Sequence, residues 1–481
     1  MGTIREKWNK IPLTAKVSLA YAVSSIIQKC LSFFTMPIFT HMLTKPQYGQ
    51  YTIYSKWNGF MYIFLTLNLA YGSFSTAMVK FDKDRDGYIA SIQGIKLLLT
   101  AIFLIIYLPF NGIWNQFLML PTEFILLMVA DVIFCTSWSL WSGKMRFEFK
   151  YKAVVAVSLL AAIVAPAFTL IIIQNAEEKG YVRIFGYAIV NVVIGLFFFV
   201  LNFTKNHKVF NKEYWKYALS FNIPLLAYYL SQVVFNQSDS LMIGKMLGED
   251  HAAVYGVAYS LAMVLTFVLN AINNSYVPWF YGKLKEGKGE ENKPVSAGIA
   301  LLMAILLCGV IWFAPEFVMF FGGPGYEEAM YVIPPVAMSL ILLLYSQFFI
   351  NVEFYHESKK DLVWASIGAA AANLILNYLL IPSFGIVAAA YTTLFSYVLF
   401  ALCNFLAMRK LLKRKGLSDN MYNYKALILI FIAFAVTTAA GMLLFNILIA
   451  RIATAVAVLA VLIIKRKYFL DLYGRIKGKK A

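Results

Sequence analysis

Charge is scarce in this chain. Asp, Glu, Lys and Arg together make up 14% of its 481 residues, 61% are hydrophobic, and the mean hydropathy is +0.70. That excludes an ordinary soluble surface. Cysteine is scarce too: Cys30, Cys135, Cys308 and Cys403 are scattered, without disulfide or zinc spacing, and read as small packing residues. The four histidines, His41, His207, His251 and His356, are expected in loops and show no metal-ligand spacing. A phosphate-binding glycine loop, a zinc-protease motif and a nucleophile elbow are all missing. No polar stretch is long enough to fold as a soluble domain; one of the longer ones, 281–294 (YGKLKEGKGEENKP), is a solvated inner loop. An enzyme is therefore not expected, and no cofactor is called for. Without an ATP site, uphill movement of a substrate would draw on H⁺ or Na⁺, on the membrane potential, or on the substrate's own gradient.

What the chain does have is apolar runs of the length that crosses about 30 Å of hydrocarbon. Fourteen are expected, near 14–38, 49–74, 89–110, 122–142, 154–174, 184–203, 217–242, 252–276, 295–314, 331–352, 362–382, 386–408, 425–447 and 449–464. Only Arg451 and its neighbours separate the last two. The formal charge of +18 follows the same pattern. With alternating loops, 34 of the 42 Lys and Arg fall on one side, and five, Lys45, Lys179, Arg183, Lys245 and Arg451, on the other. The positive-inside rule then places both termini in the cytoplasm. This distribution argues against nucleic acid as a partner and for the bilayer itself, with the basic tail of 465–480 against anionic headgroups. The first apolar run is too long for a cleavable signal and is expected to remain as a helix.

The chain also repeats. Met42, Leu43 and Tyr51 recur as Met246, Leu247 and Tyr255 at a constant offset of 204, and Gln28 matches Gln232. Duplicated helical bundles are how many transporters are built. The expected division is a six-helix lobe over 1–203, a basic linker at 204–216, a second six-helix lobe over 217–408, and a final helix pair with the basic tail over 409–481. The fold class is all-α integral membrane, in two pseudo-symmetric lobes with a central cavity.

Polar residues inside these spans are the candidate site. Lys29 lies about 18 Å into the first span at helix rise, and Ser25, Lys29 and Ser32 share one helix face beside Gln28. A lysine near the bilayer centre costs about 2.5–3.5 kcal/mol on insertion scales, so it should face a wet interior. Gln232, Asn236 and Asp239 make the matching stripe in the second half. Two facing stripes, one cationic and one acidic, would line a hydrophilic cleft. Asp239 also reads as an interfacial acid near water. Asp131, central in the fourth span, reads as a proton or sodium site or as the counter-ion of Lys29. Lys56 is a further lining candidate. Lys96, nearer a span end, is expected to snorkel to the cytoplasmic surface. The run Asp82-Lys83-Asp84-Arg85-Asp86 reads as a solvated inner loop or a gate. Asn373 and Asn377, one turn apart before Pro382 and Gly385, read as helix packing or as substrate contacts.

Three stretches carry a family likeness. Residues 22–51 (AVSSIIQKCLSFFTMPIFTHMLTKPQYGQY) resemble the opening of bacterial polysaccharide and O-antigen repeat-unit flippases. Asp239-Ser240-Leu241-Met242-Ile243-Gly244, with Met246-Leu247 and Val254-Tyr255, is similar to their second-half counterpart, and Ile381-Pro382…Gly385…Ala388-Ala389 to their late turn. These proteins belong to the MOP superfamily, with the multidrug and toxin exporters and the lipid II flippases. The resemblance implies a V-shaped bundle in the bacterial cytoplasmic membrane that opens its cavity to one side at a time. The cargo it implies is an oligosaccharide on undecaprenyl pyrophosphate, moved to the outer leaflet, with the polymerase and glycosyltransferases of the same pathway as partners. Lys29 and Lys56 would attract the pyrophosphate, and Asp131 or Asp239 would carry a coupling ion. The alternatives are an ion-coupled drug or metabolite exporter, a lipid II flippase and, from another class, a membrane-embedded polymerase or glycosyltransferase; the short outer loops speak against the last.

Overall fold

Hydrocarbon offers no hydrogen bonds to a bare backbone, so a chain this apolar must satisfy its peptide groups within helices or a closed barrel. A computed structural model describes residues 13–356, 360–464 and 466, and among them there is no strand. The helices are α1 Leu13–Met42, α2 Lys45–Thr66, α3 Phe74–Lys80, α4 Arg85–Tyr107, α5 Asn111–Leu118, α6 Thr122–Phe147, α7 Tyr151–Ile173, α8 Lys179–Lys205 and α9 Lys212–Asn222. They continue as α10 Leu226–Leu247, α11 Glu249–Ala262, α12 Thr266–Lys285, α13 Asn292–Trp312, α14 Ala314–Phe321, α15 Ala329–Tyr355, α16 Lys360–Arg414, α17 Tyr424–Leu443 and α18 Leu448–Ile464.

Among the described residues, ten helical segments are long and apolar enough to cross a membrane, against the fourteen spans expected. The difference has local causes. Val363–Arg414 counts once, although Gly385, at φ +67°, breaks it into two helices. A side chain is disfavoured in that left-handed conformation, so glycine is what lets the chain turn there. α18 has only 17 residues. α1 and α2 are helices but carry polar residues through their middles, Gln28 and Lys29 in one, Ser55, Lys56 and Asn58 in the other. The chain is a multi-pass membrane protein.

It forms two compact units, Met1–Ala253 and Val254–Ala481. In the first, α6 packs along α8, α1 along α7, and α2 is held between α6 and α10. Gly49 on α2 permits one close crossing: a Cβ there would lie 2.0 Å from the Glu249 carbonyl oxygen. One end of this unit is sealed by Phe74, Met78, Phe81, Tyr88, Ile92, Leu140 and Tyr214. Asp84 fastens it. The carboxylate caps α4 through Gly87 N (3.0 Å) and accepts from Tyr214 Oη (2.8 Å), Asn206 Nδ2 (3.1 Å) and Lys208 Nζ (3.4 Å). Asp86 pairs with Lys144 at 2.6 Å. The acidic run is thus a clasp between α4, α6 and the segment 206–214 rather than a loose loop. His41 and His251 lie in helices, not loops.

In the second unit α15 packs against α16, and α13 against α17. Arg451 is 4% exposed, in α18, and donates to Glu316 Oε2 (2.5 Å) and the Trp312 carbonyl (3.2 Å). Asn273 accepts from Asn351 at 3.0 Å. Asn373 and Asn377 are fully buried. Asn373 donates to Thr393 Oγ1 (3.3 Å), Asn377 donates to Asn373 Oδ1 (3.3 Å), and Thr392 donates to Asn377. The pair ties the two arms of α16 together across Gly385, which is a packing role. Interhelical hydrogen bonds in membranes contribute about 0.6 kcal/mol on average. Asn377→Ala, which breaks two, should therefore lower the melting temperature of the purified protein by a few degrees; an unchanged melt would contradict the network.

Candidate functional site

The sequence-predicted residues fall on three helices of the first unit, with Asp131 on a fourth. On α1, Ser25, Lys29 and Ser32 are all exposed along one face, while Gln28 turns back onto its own helix, donating to Ser24 O (3.1 Å) and Ser24 Oγ (3.0 Å). On α10, Gln232 and Asn236 are half-buried, and the Asn236 amide is engaged by Gln232 O at 2.7 Å. Asp239 is 2% exposed. It is therefore not an interfacial acid facing water. It interacts electrostatically with the half-buried Lys56 of α2, against which α10 packs. The structure thus brings together a cation and an anion, Lys56 and Asp239, that the repeat assigns to opposite halves.

Asp131 on α6 meets α2 two residues further along, at Asn58. Its Oδ2 accepts from Asn58 Nδ2 at 2.9 Å. Its Oδ1 is buried and finds no oxygen or nitrogen donor. The Cys135 thiol lies one turn on, beside the carboxylate, and the Tyr54 ring, 6% exposed with its hydroxyl unpartnered, is within electrostatic reach. Asp131 is not the counter-ion of Lys29; its described partners are Asn58, Cys135 and Tyr54. Cys135, expected only to pack, is part of this polar pocket. A carboxylate with one satisfied and one orphaned oxygen is chemically suited to hold a proton or a small cation. Among the described residues there is no cluster of metal-ligating side chains.

Lys96 departs from expectation. It does not snorkel: it is 1% exposed, and its ammonium is taken up by α6 through Ile133 O (3.0 Å), Thr136 Oγ1 (2.5 Å) and Ser137 Oγ (3.2 Å). Asn202 extends the network to Gln93 Oε1 (2.8 Å) and Ser137 O (3.1 Å). Three donors for three acceptors make this a structural tie between α4, α6 and α8. Sequence reasoning missed Tyr54 and Asn58, although their i, i+4 spacing on α2 was available as a signal. It also placed Arg183 in an outer loop, whereas Arg183 is 5% exposed inside α8.

Removing one of two opposite charges that interact inside the protein is more damaging than removing both. Lys56→Met should therefore destabilise the protein more than Lys56→Met combined with Asp239→Leu, as read by thermal unfolding. Strictly additive effects would mean that the two charges are not coupled.

A family model described as polysaccharide biosynthesis protein matches residues 14–282, more than half of the chain and the whole of this site. Two Haemophilus influenzae proteins are similar along 73% of the chain: an uncharacterized membrane protein, 22% identical and covered over 86% of its length, and Lsg locus putative protein 1, 21% identical and covered over 87%. Among solved structures, the fold resembles lipid II flippase MurJ in an inward closed conformation, with a TM-score of 0.65 at 12% identity, covering 94% of this chain and all of that one. It also resembles an inward-facing multidrug resistance MATE transporter of the MOP superfamily, with a TM-score of 0.59 at 14% identity, covering 80% and 95%. The chain belongs to the polysaccharide biosynthesis protein family, and its fold resembles that of these solved membrane transporters and flippases.

Proposed function

We propose that the protein flips an oligosaccharide carried on undecaprenyl pyrophosphate from the inner to the outer leaflet of the bacterial cytoplasmic membrane. Both termini are cytoplasmic in this reading, and the polymerase and glycosyltransferases of the same pathway are its partners. The observation that carries it is the exposed face of α1. Ser25, Lys29 and Ser32 stand in a row within an otherwise apolar helix, where a lysine facing hydrocarbon would be costly. A compact ammonium flanked by hydroxyls suits a pyrophosphate joined to a sugar. The family's description, polysaccharide biosynthesis, points to the same cargo.

Coupling is assigned to Asp131. Its orphaned oxygen beside Tyr54 and Asn58 suits one proton or one Na⁺. Loading or emptying it would change the charge held between α2 and α6, and so bias which side of the membrane the cargo face opens to. The same pocket is what favours a second reading, an ion-coupled exporter of drugs or metabolites.

Cells lacking the protein should accumulate the lipid-linked glycan on the cytoplasmic leaflet. Wild type should relieve this, and Lys29→Ala should leave it in place. Asp131→Asn should slow export without abolishing cargo binding. Unchanged glycan sidedness together with altered resistance to toxic cations would sink the flippase reading and leave the exporter.

A further inference from the structure

Arg183 is a buried cation that nothing so far explains. It is the fifth residue of α8 and is 5% exposed. Its guanidinium carbon lies 4.0 Å from the ring centroid of Phe39, 4.2 Å from that of Tyr51 and 4.4 Å from that of Tyr187. Rings satisfy the faces of a guanidinium but not its N–H edge. Nε and Nη1 are buried without a hydrogen-bond partner. Among the described residues no carboxylate pairs with Arg183.

The surroundings add positive potential. α2 starts at Lys45 and α8 at Lys179, and the two starts touch, Gly180 lying against Gln47. Two helix N-termini, each the positive end of a dipole, meet in the turns before Tyr51 and Arg183; that of α2 is closed by the Thr44–Gln47 capping box and Pro46, while that of α8 has no side-chain cap. Three of the five cations that the sequence assigns to the outer side, Lys45, Lys179 and Arg183, gather here. Lysines at helix starts are unfavourable unless an anion answers them. The nearby acids are otherwise disposed: Glu123 accepts from Tyr181 Oη (3.1 Å), Glu177 and Glu178 are exposed at the approach to α8, and Glu249, whose carbonyl lies against Gly49, sits half-buried beside Asp250 in the first turn of α11. The internal repeat marks the cation as particular to the first half. An offset of 204 carries Tyr51 and Tyr187 to Tyr255 and Tyr391, but Arg183 to Val387.

We propose that Arg183, together with the N-terminal turns of α2 and α8, is an anion site that takes a phosphoryl oxygen. The guanidinium presents two forks, Nε–H with Nη2–H and Nη1–H with Nη2–H, each matching two oxygens of one phosphate, and the N-terminus of α8, which has no side-chain cap, supplies further N–H donors. On the topology set by the basic loops the site lies at the outer membrane surface. The phosphate is then either the phosphodiester of an anionic lipid or the pyrophosphate of delivered cargo; only the second source rests on the flippase reading.

The test uses the full-length protein in dodecyl maltoside, which carries no phosphate, and reads melting temperature against added phosphatidylglycerol or inorganic pyrophosphate. Wild type should be stabilised by at least one of them. Arg183→Gln should need roughly tenfold more of it for the same shift, consistent with losing one charge-assisted contact. Arg183→Lys keeps charge and ring contacts but not the fork, and should fall between. If Arg183→Gln does not fold, Arg183→Lys and Lys45→Gln carry the comparison. Stabilisation by phosphatidylglycerol alone identifies a lipid headgroup, and by pyrophosphate the cargo, with the flippase reading untouched in the first case. No response in wild type, or equal responses in wild type and variants, would overturn the site and leave Arg183 as a cation–π pin.

Discussion

A carboxylate inside a membrane must find a partner within the protein, and here two of them find theirs on the same helix. Asp131 of α6 is held by Asn58, and Asp239 of α10 interacts with Lys56, both on α2. That constraint organises the first unit. It explains why α2 carries Ser55, Lys56 and Asn58 through its middle and why α10 crosses it closely, a Cβ at Gly244 lying 2.9 Å from Ile53 Cδ1. α2 is thus gripped by charge from two sides, and one of the two carboxylates, Asp131, keeps an orphaned oxygen.

The class of the protein was plain in the sequence because hydrophobic length and loop charge are one-dimensional signals. The turn at Gly385 was equally plain, since proline and glycine write backbone geometry locally. Cross-helix partners were not. Counting residues from a span end gives Lys96 a depth, but not the direction its side chain takes, and α6 offered it three acceptors closer than water. Asp131 was recognised as a deep acid. Its partner Asn58 lies 73 positions away, and no periodicity connects them. The repeat offset paired Gln28 with Gln232 and suggested stripes in opposite halves, yet the folded chain sets Asp239 against Lys56 within one unit. Sequence symmetry records ancestry of segments, not which segments touch.

The exposed row on α1 and the caged Arg183 share one chemistry at two depths. Both place positive charge where an apolar chain would otherwise avoid it, and both involve the segment that carries the strongest family likeness: Lys29, Phe39 and Tyr51 all lie within residues 22–51.

The most direct measurement is translocation itself. Purified protein would be reconstituted into liposomes carrying a fluorescent undecaprenyl-pyrophosphate oligosaccharide, and the fraction of label reachable by an impermeant quencher followed over time. The account predicts that wild type makes the protected label accessible within minutes and that Lys29→Ala does so markedly more slowly. Label that stays protected, in liposomes where the same protein exchanges a cationic dye for protons, would contradict it.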